Sequence, residues 1–116
     1  MNIRFVAFGI VLAPILLSAC AQKAEPDLAT VVQVTRESAT LRKKMFADCM
    51  DDVRETRLER QEKIVRLVGV PRDKFAVTFC NRFIAGYVAG QYTEADMAIV
   101  RRGGFPPSVV LALAGR

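Results

Sequence analysis

From Glu37 to Val68 the chain contains neither Gly nor Pro and is dense in Ala, Leu, Glu, Lys, Arg, Met and Gln, the residues that lose least on entering a helix. The run predicts one long helix, or two stacked end to end. Leu41, Met45, Cys49 and Val53 recur every four residues with Phe46 beside them, an apolar stripe that must be covered by another element. The stripe fails through RETRLERQEK, Arg54 to Lys63, where Arg57 and Arg60 take its positions, and Ile64, Leu67 and Val68 restore it. That middle section reads as solvated.

The covering element follows. Gly69-Val70-Pro71 stops the first helical region, because Gly suits a helix C-terminus and the residue before Pro is pushed out of the α basin. Asp73 is placed to cap a second helix, in which Phe75, Phe79, Phe83, Ile84, Tyr87 and Val88 form the most aromatic face of the chain. Ala85 with Ala89, and Gly86 with Gly90, make two overlapping pairs of small residues that let another backbone approach, and Gly90 also serves as a stop. Thr93 followed by Asp96 predicts a capping box for a short helix ended by Arg101, Arg102 and Gly103-Gly104. Pro106-Pro107 opens a last apolar turn or two, Ser108 to Ala114, far too short to span a bilayer. The expected fold is a small all-α domain over residues 36–116: one long helix, whole or broken, a hairpin partner and two short C-terminal helices.

The N-terminus reads differently. Arg4 and the chain amine provide a positive start, Phe5 to Leu17 carries no charge, and small residues follow. This is the order of a signal peptide, whose apolar run of about a dozen residues is too short to span a membrane. Leu17-Ser18-Ala19-Cys20 resembles the lipobox of bacterial lipoproteins. The resemblance implies that residues 1–19 are removed and that Cys20 carries lipid, two or three acyl chains giving a stable anchor where one gives only marginal binding. It further implies the outer membrane, facing the periplasm, since Ala21 is not the aspartate that marks retention at the inner membrane. Residues 20–35, with Pro26 and many polar side chains, read as a flexible tether.

Without its first nineteen residues the chain keeps 97, enough for one domain. Only Arg4 leaves the charge count, so a mild positive excess remains, interleaved with carboxylates. No basic stripe with stacking aromatics suggests nucleic acid. The chain has no histidine, which removes the commonest general base and metal ligand. No nucleophile–base pair, phosphate loop or metal constellation assembles from the remaining residues, so no enzyme activity, cofactor or small-molecule substrate is expected. Asp48, Asp51, Asp52 and Glu55 lie on one side of a helix, but a helix cannot wrap a cation as a loop does. Ion pairs such as Lys44 with Asp48 account for them.

With Cys20 assigned to lipid, Cys49 and Cys80 form an even pair in an oxidising compartment, the usual setting of a disulfide. A simple hairpin turning near Pro71 sets Cys80 opposite Glu62 and leaves Cys49 about 20 Å away at 1.5 Å per residue, beyond disulfide reach. Either the first helix breaks within Arg54 to Lys63, or the two remain buried thiols, or they bond between two chains.

Cys80-Asn81-Arg82-Phe83-Ile84-Ala85-Gly86-Tyr87-Val88-Ala89-Gly90 is similar to a pattern in periplasmic immunity proteins against type VI secretion amidases, a family with further cysteines and a different C-terminal half. Leu41 to Cys49 with Cys80-Asn81 resembles exclusion lipoproteins of conjugative plasmids, whose two cysteines stand closer together. The leading functional expectation is a non-catalytic interaction or structural module of the cell envelope, bound to the membrane by its lipid and to an envelope protein. Its expected surface is Arg54, Arg57, Arg60 and Lys63, or the C-terminal apolar turn. The alternative is an inhibitor or immunity-type protein that blocks an incoming toxin enzyme or conjugating plasmid.

Overall fold

A computed structural model describes residues 26–116. The expected signal segment 1–19, Cys20 and the first residues of the expected tether lie outside the described residues. Six helices follow one another: α1 (Leu28–Glu37), α2 (Ala39–Glu55), α3 (Leu58–Val68), α4 (Phe75–Val88), α5 (Glu94–Arg101) and α6 (Pro107–Leu113). The domain is all-α, with no strand among the described residues. None of these helices is long and apolar enough to cross a membrane.

The expected tether ends earlier than its composition suggested. Asp27 accepts a hydrogen bond from the Thr30 amide at 2.9 Å and starts α1, satisfying one of the orphan donors of a helix start. Val32 and Thr35 are buried against the body, and the Thr35 hydroxyl donates back to the Val31 carbonyl at 2.7 Å. Leu28, Val31, Val32 and Thr35 stand at helical spacing, so α1 packs on α2 and α4 as part of the domain.

The long helical run is broken twice. Ser38 leaves the helix after α1 and caps α2, accepting from the Leu41 amide at 3.2 Å. The second break, at Thr56 and Arg57, has extended backbone at both residues and falls inside the segment where the apolar stripe fails. Redirecting the chain there frees α2 from the simple hairpin register. Helix α2 runs antiparallel to α4, and Cys49 and Cys80 are bonded with their Cα atoms 5.9 Å apart. In the chain-entropy picture a loop of this length contributes roughly 3 to 4 kcal/mol to stability.

Helix α4 is the centre of the domain, packing on α1, α2, α3 and α6. Phe75, Phe79, Cys80, Ile84 and Tyr87 are buried on it. Gly69, at φ 73°, ends α3 in the left-handed conformation that glycine adopts at little cost. Asp73 does not cap α4, because the turn through residues 72–74 ends in Lys74, whose backbone is already helical and offers no side-chain cap. The small residues of α4 also serve differently from expectation. Ala85 and Ala89 are exposed, and Gly86 receives the ring of Tyr92 in place of a second backbone. Tyr92 lies across the helix and donates to the Phe83 carbonyl at 2.9 Å.

The capping box of α5 forms as its sequence predicts. Thr93 Oγ accepts from the Asp96 amide at 3.1 Å, and Asp96 accepts from the Thr93 amide at 2.9 Å. The Ser108 hydroxyl donates to the same carboxylate at 2.9 Å, tying α5 to the start of α6. Helix α6 buries Val109, Ala112 and Leu113.

Candidate functional site

Two apolar stripes meet but do not close. Leu41, Met45, Cys49 and Val53 on α2 face Phe79, Phe83 and Tyr87 on α4, and together they line a groove of about 580 Å³. Its volume lies within the range of small-molecule pockets. Val100 of α5 and Phe105 form the far wall, and Ile64 lies at one end beside Arg60. The stripe of α2 was legible as a surface needing cover, and the domain covers it only in part. Leu41, at the opposite end near Val31, is 41% exposed.

Much of the groove lining is buried. Val53, Ile64, Phe79 and Tyr87 all border it, yet each is only 2 to 8% exposed. Phe79 stacks on Phe83 with centroids 6.0 Å apart and meets Phe105 edge-on at 6.1 Å, the geometries that aromatic quadrupoles favour. Burial raises the pKa of Tyr87 above its ordinary value, so this phenol holds its proton and is no base near neutral pH. The rim on α2 is polar. Lys44 pairs with Asp48 at 3.2 Å, and Asp52 stands one turn further on. Asp51 and Glu55 face solvent, and among the described residues no three carboxylate, cysteine or histidine side chains converge as metal ligands.

The four basic residues expected to form one partner surface are divided by the fold. Arg54 and Arg57 are exposed at the α2–α3 corner, next to Leu58. Arg60 turns inward, donates to the carbonyl of Gly103 and places its guanidinium 4.9 Å from the centroid of Phe105. Lys63 approaches the same ring at 5.5 Å. These two hold the loop between α5 and α6 through cation–π contacts. The C-terminal turn, the other expected surface, buries Val109, Ala112 and Leu113, and Leu111 is its one exposed large apolar side chain.

Arg60 belongs to a set that sequence reasoning missed. The carbonyls at a helix C-terminus lack intrahelical partners and carry partial negative charge. In this domain every one of the six ends receives a long side chain from a different helix. Arg42 donates to the Thr35 and Arg36 carbonyls at the end of α1. The Gln61 amide nitrogen lies within 3.4 Å of the Val53, Arg54 and Thr56 carbonyls that end α2. Arg36 donates to Val88 at the end of α4 at 2.8 Å, and Arg60 reaches Gly103 just past α5. Arg82 closes α3 and α6 together through Val68 and Leu113. Part of the basic excess is therefore architectural.

No family model, curated protein or solved structure matches this chain.

Proposed function

We propose that the protein is a lipid-anchored, non-catalytic module of the bacterial cell envelope. Cys20 carries the anchor, the helical domain stands at the periplasmic face of the outer membrane, and the α2–α3 corner binds another envelope protein. The anchor rests on the order of charge, apolar run and small residues that ends in Leu17-Ser18-Ala19-Cys20.

The observation that carries the binding role is the corner itself. Leu58 is 68% exposed, the most exposed large apolar side chain among the described residues, and it directly follows the exposed Arg57, with the exposed Arg54 four positions earlier in the chain. Arginine is enriched at protein interfaces and at the positions that dominate their binding energy, and the exposed Leu58 side chain offers apolar area for a partner to bury. Arg60 and Lys63, one turn on, are held by Phe105, so they fix the corner and take no part in the contact.

A photoreactive amino acid placed at Arg57, and in a separate strain at the exposed Val77 of α4, tests the reading in living cells. A discrete adduct with one envelope protein from position 57, weakened by Leu58→Ser and absent from position 77, is the expected result. Intact-mass analysis of the same material gives the lipid on Cys20. No adduct at 57, or turnover of peptidoglycan or lipid by the purified protein, overturns the proposal.

A further inference from the structure

The groove between α2 and α4 has a volume of about 580 Å³, in the range of small-molecule pockets. Val53, Ile64, Phe79 and Tyr87, which border it, keep only 2 to 8% of their surface exposed. Along α2 the apolar wall from Leu41 to Val53 runs roughly 18 Å at 1.5 Å per residue. One acyl chain spans about half of a 30 Å hydrocarbon core, on the order of 15 Å. Length and apolar lining agree with such an occupant.

The place where the chain enters the domain indicates whose acyl chain it is. Pro26, Asp27 and Leu28 border a second hollow of about 520 Å³, lined also by Glu94, Met97 and Arg101, which adjoins the groove at the shared residues Val31 and Tyr87, close to where the chain joins the body. Cys20 precedes Pro26 by six residues, a reach of about 20 Å when extended. We propose that the groove shelters one acyl chain carried on Cys20 of the same molecule, leaving the rest of the lipid in the membrane and seating the domain against the bilayer surface. The inference rests on the lipidation of Cys20 proposed above.

The rim fits this assignment. Lys44 is already paired with Asp48, and Arg60 is engaged by the Gly103 carbonyl and Phe105. Neither leaves a free cation to hold the carboxylate or phosphate of an independent lipid, and Asp52 at the same rim disfavours an anionic headgroup. A chain esterified or amide-linked to the protein's own N-terminal residue brings no anionic group to that rim.

The test uses the full chain expressed in cells fed a fatty acid bearing a diazirine near its end. After irradiation, the purified lipoprotein is digested and mapped by mass spectrometry. Crosslinks from the Cys20 lipid to peptides containing Met45 to Val53 or Phe79 to Tyr87 are expected, with at least a tenfold loss in Leu41→Trp, which plugs the open end at an exposed site. Labelled Cys20 whose crosslinks reach only phospholipid or other proteins overturns the inference and leaves the anchor standing. Absence of any lipid on Cys20 overturns both. Groove crosslinks that persist in Cys20→Ser assign the groove to membrane lipid and overturn the assignment to the protein's own anchor.

Discussion

Arg82 donates to the carbonyl of Leu113 at 2.8 Å and, from the same nitrogen, to that of Val68 at 3.0 Å, so one guanidinium closes the ends of two helices. Hydrogen bonds to charged groups contribute about 1.5 to 3 kcal/mol each, and shared donors give less than the sum. Arg82→Met keeps the apolar stem and removes both bonds. It should lower the unfolding free energy by about 2 to 4 kcal/mol in urea titration, with Arg82→Lys recovering part of the loss.

The disulfide should matter comparably. Replacing both partners, Cys49→Ser with Cys80→Ser, removes the cross-link without leaving a reactive thiol. The expected loss is roughly 3 to 4 kcal/mol, the loop-closure contribution of the bond, with an additional part from placing hydroxyls at two apolar positions. Denaturant midpoints of the variant, against the native protein with and without reductant, separate the two contributions.

At Gly86 an added Cβ would lie 2.7 Å from Tyr92 Cζ and closer still to its hydroxyl oxygen. Gly86→Ala should therefore displace the ring and break its bond to the Phe83 carbonyl, costing about 1 to 3 kcal/mol as overpacking does. Tyr92→Phe removes the nearest atom. The alanine should cost less in that background, and a double-mutant cycle read by urea denaturation gives the coupling.

Opposite pH limits follow from two kinds of group. Asp96 is held below its ordinary pKa first by the Thr93 backbone and then by the Ser108 hydroxyl, and Asp27 first by its side-chain hydrogen bond with Thr30. Both bind protons more weakly folded than unfolded, so their stabilisation is present above the unfolded carboxylate value of about 3.9 and lost as pH falls through the folded values. Asp96→Asn should flatten that acid limb of a stability-versus-pH curve. Burial pushes Tyr92 up to about 12, so its contribution is complete below the unfolded value of about 10 and lost as pH rises toward the folded one. Ultraviolet absorbance of tyrosinate should show Tyr92 ionising late, together with unfolding.

Local patterns were legible in the sequence and remote ones were not. The capping box of Thr93 and Asp96, the stop at Gly69 and the faces of α2 and α4 depend on neighbours three or four positions away, and each stands where the spacing placed it. The break at Thr56 and Arg57 was foreshadowed because the stripe failed there and the two cysteines needed it. Helix α1 left a readable trace in the cap at Asp27 and the spacing of Leu28, Val31, Val32 and Thr35, which polar composition obscured. Arg60 is 43 positions from the carbonyl it reaches, and Arg82 is 31 from Leu113. No sequence period records such pairs, so the same arginines read as free surface charge. The groove was likewise visible only as two separate stripes.

Because each helix ends on a side chain supplied by another, the domain has no autonomous terminal piece. Shortening the chain by a few residues at Leu113 would take from Arg82 one of its two carbonyls, and the disturbance would be felt at Val68, in a helix remote in sequence. Trimmed versions should lose stability as a whole, still unfolding cooperatively, instead of fraying from the cut. Proteolytic nicking should therefore yield either the intact domain or small fragments, with little in between.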